Sequence, residues 1–419
     1  MKQWLKFRMW VQQYEQIVYT ALCIGIAYTL VFWTLLNSIF CLTLAGFWLV
    51  FSNKKTILPK KRKSLILLFS SLYLLVLVGL LYTSNMEEGL RLLQQKSAIL
   101  LFPVILGATN ILTPKTTKLI LLHFLIATSI ACLAGFIYGT VQFLSSGNPK
   151  MLTGEQLLLF PDLYPYMMGL FCLLSIIISY QLLPEYSKGR QRLLLLLCAF
   201  LSVIIILLSI RLIIVCWLLI VLFLSFKRYI KKTYYRIGTI ALLLLLLVIA
   251  IIKVPSLQTQ WRDLRDFSEN NTIKLDQEPT VSQSWGGKAI RLAIWKCSKD
   301  VVKKHWLTGV GTGDIQDSLQ LAYENRKFYF ASRYNRYNAH NQYIQILIGF
   351  GITGLLLLIL CIAAPFMLFK GLPFSNVYFL FLFLFAAICF SEVILDINKG
   401  IIWYSFFNSI FAFSQTDNT

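Results

Sequence analysis

Twelve apolar runs divide the chain, and each approaches the length of about 20 residues (17–25) with which an α-helix crosses a bilayer. They fall near residues 17–36, 38–52, 64–82, 97–113, 118–144, 163–183, 193–210, 212–226, 237–253, 343–369, 374–392 and 400–414. The first two are separated only at Asn37-Ser38, read as a tight reversal. This pattern predicts an all-α polytopic membrane protein of about 12 transmembrane helices in three parts. Residues 1–253 form an N-terminal bundle of about nine helices, 254–342 a long polar loop, and 343–419 the C-terminal helices. Within the loop, Ile290, Ala293, Ile294, Cys297 and Val301 recur at i, i+3, i+4 spacing, which predicts an amphipathic helix over Lys288–His305. A Gly-rich turn at Gly309–Asp314 precedes a second helix, Asp314–Arg326, with Asp314 as its N-cap. The loop is therefore a small, mainly helical subdomain resting on the membrane surface.

Composition and charge sharpen this picture. Of 419 residues, 58% are hydrophobic and only 14% charged, more apolar surface than one soluble core can hide. A formal charge of +21 would point a soluble protein toward nucleic acid. Here no basic stripe interleaved with aromatics marks a nucleic-acid surface, and the cations follow the positive-inside rule instead. Lys54, Lys55, Lys60, Lys61, Arg62 and Lys63 share one side with Lys188, Arg190 and Arg192 and with Lys227, Arg228, Lys231, Lys232 and Arg236. The alternate loops carry Glu87, Glu88, Glu155 and Asp162. Both termini are then cytoplasmic, and 255–341 lies on the far side, away from cytoplasmic nucleotides. The first apolar run outlasts a signal-peptide core and is expected to stay as an anchor. Eight of nine cysteines sit in apolar runs, and Cys297 alone occupies the loop, so the loop has no internal disulfide and no cysteine metal site.

Candidate chemistry gathers where the loop meets the membrane. His340 stands in Asn338-Ala339-His340-Asn341-Gln342-Tyr343, just before an apolar helix spaced by Gly349, Gly351 and Gly354. A lone histidine there reads as an interfacial side chain with a polar tip, or as a general base that takes the proton of a sugar hydroxyl. Asn341 flanks it, and Arg333 and Arg336 precede it; two cationic neighbours would disfavour a further positive charge on the imidazole. Arg211 interrupts the apolar stretch Leu193–Ser225 and reads equally as a hairpin tip or as a bidentate phosphate ligand with its stem in lipid. Arg291 opens the loop helix beside Lys288, Lys296, Lys299, Lys303 and Lys304, a basic face suited to solvent, anionic headgroups or an anionic polysaccharide. Gly309–Gly313 is neither a P-loop nor a dinucleotide fingerprint. HExxH, GxSxG and paired-carboxylate motifs are not found, so charge neutralisation falls to arginine with no metal or other cofactor expected.

These residues resemble a known family. His340-Asn341-Gln342-Tyr343-Ile344-Gln345, followed by Gly349-Phe350-Gly351-Ile352-Thr353-Gly354-Leu355, is similar to the C-terminal motif of the O-antigen ligase and polymerase superfamily. Gly309-Val310-Gly311-Thr312-Gly313 and Arg291-Leu292-Ala293-Ile294-Trp295 share the resemblance. It implies an inverting, metal-independent membrane glycosyltransferase of the bacterial inner membrane, with a periplasmic loop. A polysaccharide on undecaprenyl diphosphate would pass to the lipid A–core oligosaccharide. His340 matches the residue that activates the acceptor hydroxyl, and Arg211 and Arg291 match donor diphosphate ligands. Asn341, Arg333 and Arg336 are added from proximity alone. The Arg- and Tyr-rich stretch Arg326–Asn338 departs from the family pattern.

Ligase is the leading expectation. A polysaccharide polymerase and a protein O-oligosaccharyltransferase need the same arginines and base, so the motif does not separate them. A flippase of lipid-linked saccharide would place its charges near the bilayer midplane, whereas here they collect at one face.

Overall fold

A computed structural model describes residues 2–52, 58–160, 162–228, 287–372 and 374–414, together with 238, 245, 248, 252, 254 and 257–259. Its order is α1 (Lys2–Phe32), α2 (Thr34–Phe51), α3 (Lys60–Gly79), α4 (Met86–Gln95), α5 (Ala98–Ala108), α6 (Pro114–Ser146), α7 (Pro165–Leu182), α8 (Lys188–Leu208) and α9 (Arg211–Arg228). The loop helices α10 (Gly287–Lys304) and α11 (Ile315–Asn325) follow, then α12 (Gln342–Leu368), α13 (Ser375–Ile388) and α14 (Asn398–Phe413). No strand occurs among the described residues. The protein is an all-α polytopic membrane protein, with eight helices among the described residues long and apolar enough to span a bilayer.

The expected runs and the observed helices differ in instructive places. The run at 212–226 is α9, which carries Arg211, Lys227 and Arg228 at its ends; α13 and α14 are apolar but have only 14 and 16 residues. The run at 237–253 falls almost wholly outside the described residues, as does the loop from 260 to 286. Between α1 and α2 the chain breaks at Trp33, not at Asn37-Ser38. Asn37 is buried inside α2, where its amide donates to Ile26 O (2.9 Å) and Thr29 Oγ1 (2.9 Å). An amide facing apolar surroundings must find partners, and this one fastens the hairpin instead of turning it.

The run at 97–113 is also not one straight span. It supplies α5, whose 11 residues reach only about 16 Å at ~1.5 Å per residue. The preceding stretch, expected as an open loop, is the amphipathic helix α4. Asn85 caps it by accepting from Glu88 N (3.2 Å), and Glu87 and Glu88 in the first turn complement the helix dipole. The chain bends at Lys96, whose ammonium donates to Leu395 O (2.8 Å) and pairs with Asp396.

Basic residues at one end of the bundle tie neighbouring helices together. Lys227 Nζ donates to Asn376 Oδ1 (2.7 Å), Lys118 pairs with Glu185 (2.6 Å), and Lys61 stands 5.5 Å from the centre of the Phe369 ring. Following the helices to their other ends collects Tyr82, Arg211, Asn341 and Glu392.

That other end is built around a broken helix. Gly351 (φ 62°, ψ −158°) interrupts α12, freeing carbonyls that lipid cannot satisfy. The glycine turn fills the gap: Val310 N donates to Ile348 O (2.9 Å), Gly311 N to Gly349 O (3.0 Å), and Ile352 N to Trp306 O (2.8 Å). The approach is so close that a Cβ on Gly309 would lie 2.2 Å from Gly349 C. Thr312 Oγ1 donates to Val76 O (2.7 Å) and Gly313 N to Thr83 Oγ1 (2.9 Å), so the turn is also pinned to α3. Asp314 precedes α11 as expected, but its carboxylate accepts from Ser84 N (2.7 Å) and Asn85 N (2.8 Å) and not from α11.

Above this junction the loop has its own small core, in which Ile294, Cys297, Leu319, Tyr323 and Phe328 pack toward Ile348 of α12. Burial pushes the Cys297 thiol up to about 11, which leaves it an unreactive apolar side chain. The Arg326 guanidinium holds the Asp300 carboxyl below its usual range through a hydrogen bond of 2.8 Å, tying α10 to the end of α11.

Gly351→Ala would force a side chain into positive φ with its Cβ 2.3 Å from Leu307 O. We expect a loss of at least about 2 kcal/mol, read as a lower midpoint of thermal unfolding in detergent.

Candidate active site

The residues around His340 have distinct jobs. Asn341 is the N-cap of α12: its Oδ1 accepts from Ile344 N (3.1 Å) and its Nδ2 donates to Phe390 O (3.2 Å). Gln342 is buried; its N donates to Cys389 O (2.8 Å) and its Oε1 accepts from Leu395 N (2.7 Å). Tyr343 OH donates to Ala386 O (2.8 Å). Gln345 accepts from Ala339 N (3.1 Å) and donates to Asp396 Oδ2 (2.8 Å). Four polar side chains within five residues thus bind the start of α12 to the end of α13 and the stretch after it. An amide buried at a membrane interface is costly unless satisfied, so each such bond also fixes register.

His340 is held differently. Its backbone is left-handed (φ 44°), a conformation that costs energy for a residue with a Cβ and persists only where surroundings enforce it. The enforcement is visible on both sides: Asn338 Oδ1 accepts from His340 N (2.9 Å), and Trp295 of α10 donates its indole N–H to Ala339 O (3.0 Å). Among the described residues nothing hydrogen-bonds His340 Nδ1, although that atom is shielded from solvent. Glu392 Oε2 stands 3.8 Å from it. Closing that gap by about 0.8 Å would make a hydrogen bond.

Glu392 is the residue that the sequence reading passed over. It bridges two others, because its second oxygen, Oε1, accepts from Arg291 Nη2 at 2.7 Å. Arg291, Glu392 and His340 therefore form a line from α10, through the segment after α13, to the residue before the α12 cap. A signal for Glu392 was present: a single carboxylate ends the apolar run 374–392, and lone ionisable groups at such positions are functional candidates by default. The same logic had singled out Arg211.

A cavity of about 550 Å³ opens beside this line. Arg211, the first residue of α9, lines it directly after the sharp turn at Ser209 (φ 60°). Arg291, Trp295, Ser391 and Glu392 line it as well, as does Tyr166 near the start of α7. The Tyr166 hydroxyl has no partner among the described residues and is free to donate to a ligand. The two arginines expected to share a substrate thus do share a cavity. A guanidinium fork suits an anionic ligand taken bidentately.

The remaining expected residues lie elsewhere. Arg333 stacks 4.3 Å from the Tyr329 ring centre, and Arg336 reaches Asp317 (3.4 Å). Neither lines the cavity. The charged group beside the imidazole is thus a carboxylate, not the two arginines that sequence proximity suggested. The reason is the π-helical turn Phe330–Tyr334, which carries Arg333 away along the loop surface. The amides of Gly309–Gly313 are occupied by α12 and α3, so this turn is a structural clamp, not an anion cradle. No group of three or more His, Cys, Asp or Glu able to hold a metal occurs among the described residues.

Comparison with known proteins adds one match. Residues 194–359 fit the family model described as O-antigen ligase, a span that contains Arg211, Arg291, His340 and Asn341 and ends before Glu392. No curated protein matches the chain.

Asn341→Ala removes both the cap of α12 and the tie to Phe390. A loss of about 1–2 kcal/mol in unfolding free energy is expected, and Asn341→Asp, which keeps the cap acceptor, should recover much of it.

Proposed function

We propose that the chain, whose residues 194–359 fit the O-antigen ligase family model, is a lipid A–core ligase. A multi-pass bacterial membrane glycosyltransferase of this kind works on a lipid-linked polysaccharide and a lipid acceptor. Our reading is that undecaprenyl diphosphate carries the polysaccharide and that lipid A–core receives it. The reaction takes place at the periplasmic face of the inner membrane, with both chain termini cytoplasmic. The observation that carries the proposal is the Arg291–Glu392–His340 line beside a cavity holding a second guanidinium, Arg211.

The chemistry follows from those positions. Arg211 and Arg291 bind the donor diphosphate, and the neutralised diphosphate becomes a good leaving group. An acceptor hydroxyl attacks the anomeric carbon from the opposite face. Its oxygen forms the new glycosidic bond as the carbon–oxygen bond to diphosphate breaks, which inverts the anomeric centre. The hydroxyl proton goes to His340 Nε2, since Nδ1 is the nitrogen facing Glu392. Glu392 then balances the imidazolium. Arg291 couples the two halves: it holds Glu392 through one contact of 2.7 Å, and a bound diphosphate competes for the same guanidinium. Donor binding loosens Glu392 from Arg291 and frees it to close on His340. Arginines supply the charge neutralisation, and no metal takes part.

Three outcomes are expected. In a deletion strain, wild-type protein restores polymer-bearing lipopolysaccharide, whereas His340→Ala restores none and leaves polymer on undecaprenyl diphosphate. Recovery of core carrying a single repeat unit would mean a polymerase, and an unchanged banding pattern would turn attention to glycoproteins. With purified enzyme, Glu392→Gln should lower turnover by about 10²–10⁴-fold, the usual worth of acid–base assistance, and EDTA should leave the rate intact. Arg211→Lys and Arg291→Lys should each keep more donor affinity than the corresponding alanine variants but less than wild type, because lysine retains charge and loses the fork.

A further inference from the structure

A second pair of cavities shares no lining residue with the cavity of Arg211 and Arg291. The inner one, about 270 Å³, is lined by Arg91 and Gln95 of α4, Gln316 of α11, and Arg336, Asn338 and Gln345 of the loop and α12. Its cations are already matched. Arg91 makes a bidentate pair with Glu88 (2.6 and 2.5 Å), and Arg336 pairs with Asp317. Asp396, also in the wall, is held by Lys96. With charge cancelled locally and the other amide groups of the wall already bonded, Gln316 Oε1 and Asn338 Nδ2 remain to meet a ligand, an acceptor and a donor that suit hydroxyl groups and not a diphosphate. Its inner end is next to the chemistry, because Asn338 is the residue that accepts from His340 N.

The outer cavity, about 440 Å³, lies between α2, α4–α5 and α14. Its wall is divided: Cys41, Leu42, Leu101 and Ile402 are apolar, while Gln94 and Asn398 are polar. Leu42 is 70% exposed, so the apolar side faces the lipid-facing surface of α2. Arg91 and Gln95 line both cavities, so the two adjoin at these side chains as parts of one groove. The groove is apolar at its lipid end and neutral and hydrogen-bonding at the end nearest His340.

We propose that this groove is the acceptor site, taking an amphipathic glycolipid whose sugar occupies the inner cavity and whose apolar portion lies between α2 and α5. The inference rests on the transferase reading above. Donor and acceptor then reach His340 from separate cavities: the anionic lipid from the one lined by Arg211 and Arg291, the hydroxyl-bearing sugar from the one lined by amides.

The test uses the full chain in lipid nanodiscs with a fluorescent lipid A–core glycolipid and a polyprenyl-diphosphate-linked glycan. Gln94→Trp fills the outer cavity from an exposed position, and Gln316→Ala removes an amide of the inner cavity. In each variant the glycolipid Kd, measured without donor, and the acceptor KM should rise at least tenfold, with donor KM within twofold of wild type and an unchanged Tm for Gln94→Trp. Arg211→Ala should do the reverse, raising donor KM alone. Unchanged glycolipid Kd and acceptor KM in Gln94→Trp would overturn the acceptor groove, even with the donor reading intact. If Arg211→Ala leaves donor KM unaltered while Gln94→Trp weakens glycolipid binding, the donor assignment falls and the groove stands.

Discussion

A helix inside a bilayer cannot be interrupted without a substitute for the backbone bonds it loses, because lipid offers no hydrogen bonds. The break at Gly351 in α12 meets that demand with the loop itself: Val310 N and Gly311 N supply the donors that the helix gives up at Ile348 O and Gly349 O. Glycine is needed on both sides, at Gly351 for its positive φ and at Gly309 for contact with the opposing backbone. This exchange makes the loop subdomain and the membrane helix one body. Thr312, Gly313 and Asp314 extend the same seam to α3 and the start of α4, so the groove lining and the His340 segment are fixed to a common frame.

Everything chemically interesting sits within a short distance of that seam. Asn341, Gln342 and Gln345 bond to the stretch 389–396, so they serve as a scaffold that holds one strained, under-bonded imidazole. The stretch they grip contains Glu392, and the helix that braces Ala339 through Trp295 also carries Arg291. One set of contacts therefore places base, carboxylate and guanidinium together. Preorganisation of this kind removes much of the cost of assembling a charged site during reaction.

Much of this was legible in the sequence, though unevenly. Apolar runs reveal helices because lipid rewards continuous apolarity, and the i, i+3, i+4 pattern located α10 within one residue at each end. His340, Arg211 and Arg291 stood out as ionisable groups at the edges of apolar segments, and the last two do line one cavity. What periodicity does not encode is where a span bends. Asn37 looked like a turn residue, yet its burial against Ile26 and Thr29 makes it a lock. The run at 97–113 hid a bend at Lys96 because the partner that holds it, Asp396, is 300 residues away. Glu392 was missed for the same reason: its meaning comes from Arg291 and His340, neither a sequence neighbour. Proximity along the chain misled in the other direction, joining Arg333 and Arg336 to His340 although the π-helical turn separates them.

The distribution of charge gives the site its logic. Arg211 and Arg291 bring two guanidiniums to the wall of one cavity, and Arg291 is the one bonded to the carboxylate that faces the imidazole. In the amide-lined cavity each guanidinium has an acid beside it, so an anion gains little there. On the proposed reading, a diphosphate and a sugar are sorted before any contact with His340. Because Arg291 belongs to both the anion site and the carboxylate that faces the imidazole, occupancy of the first changes the electrostatics of the second without any helix having to move. On the proposed mechanism, a carboxylate released toward the imidazole only when the leaving group is in place would spare the lipid-linked donor from reaction with stray hydroxyls. The single bridging carboxylate after α13 is where that coupling resides.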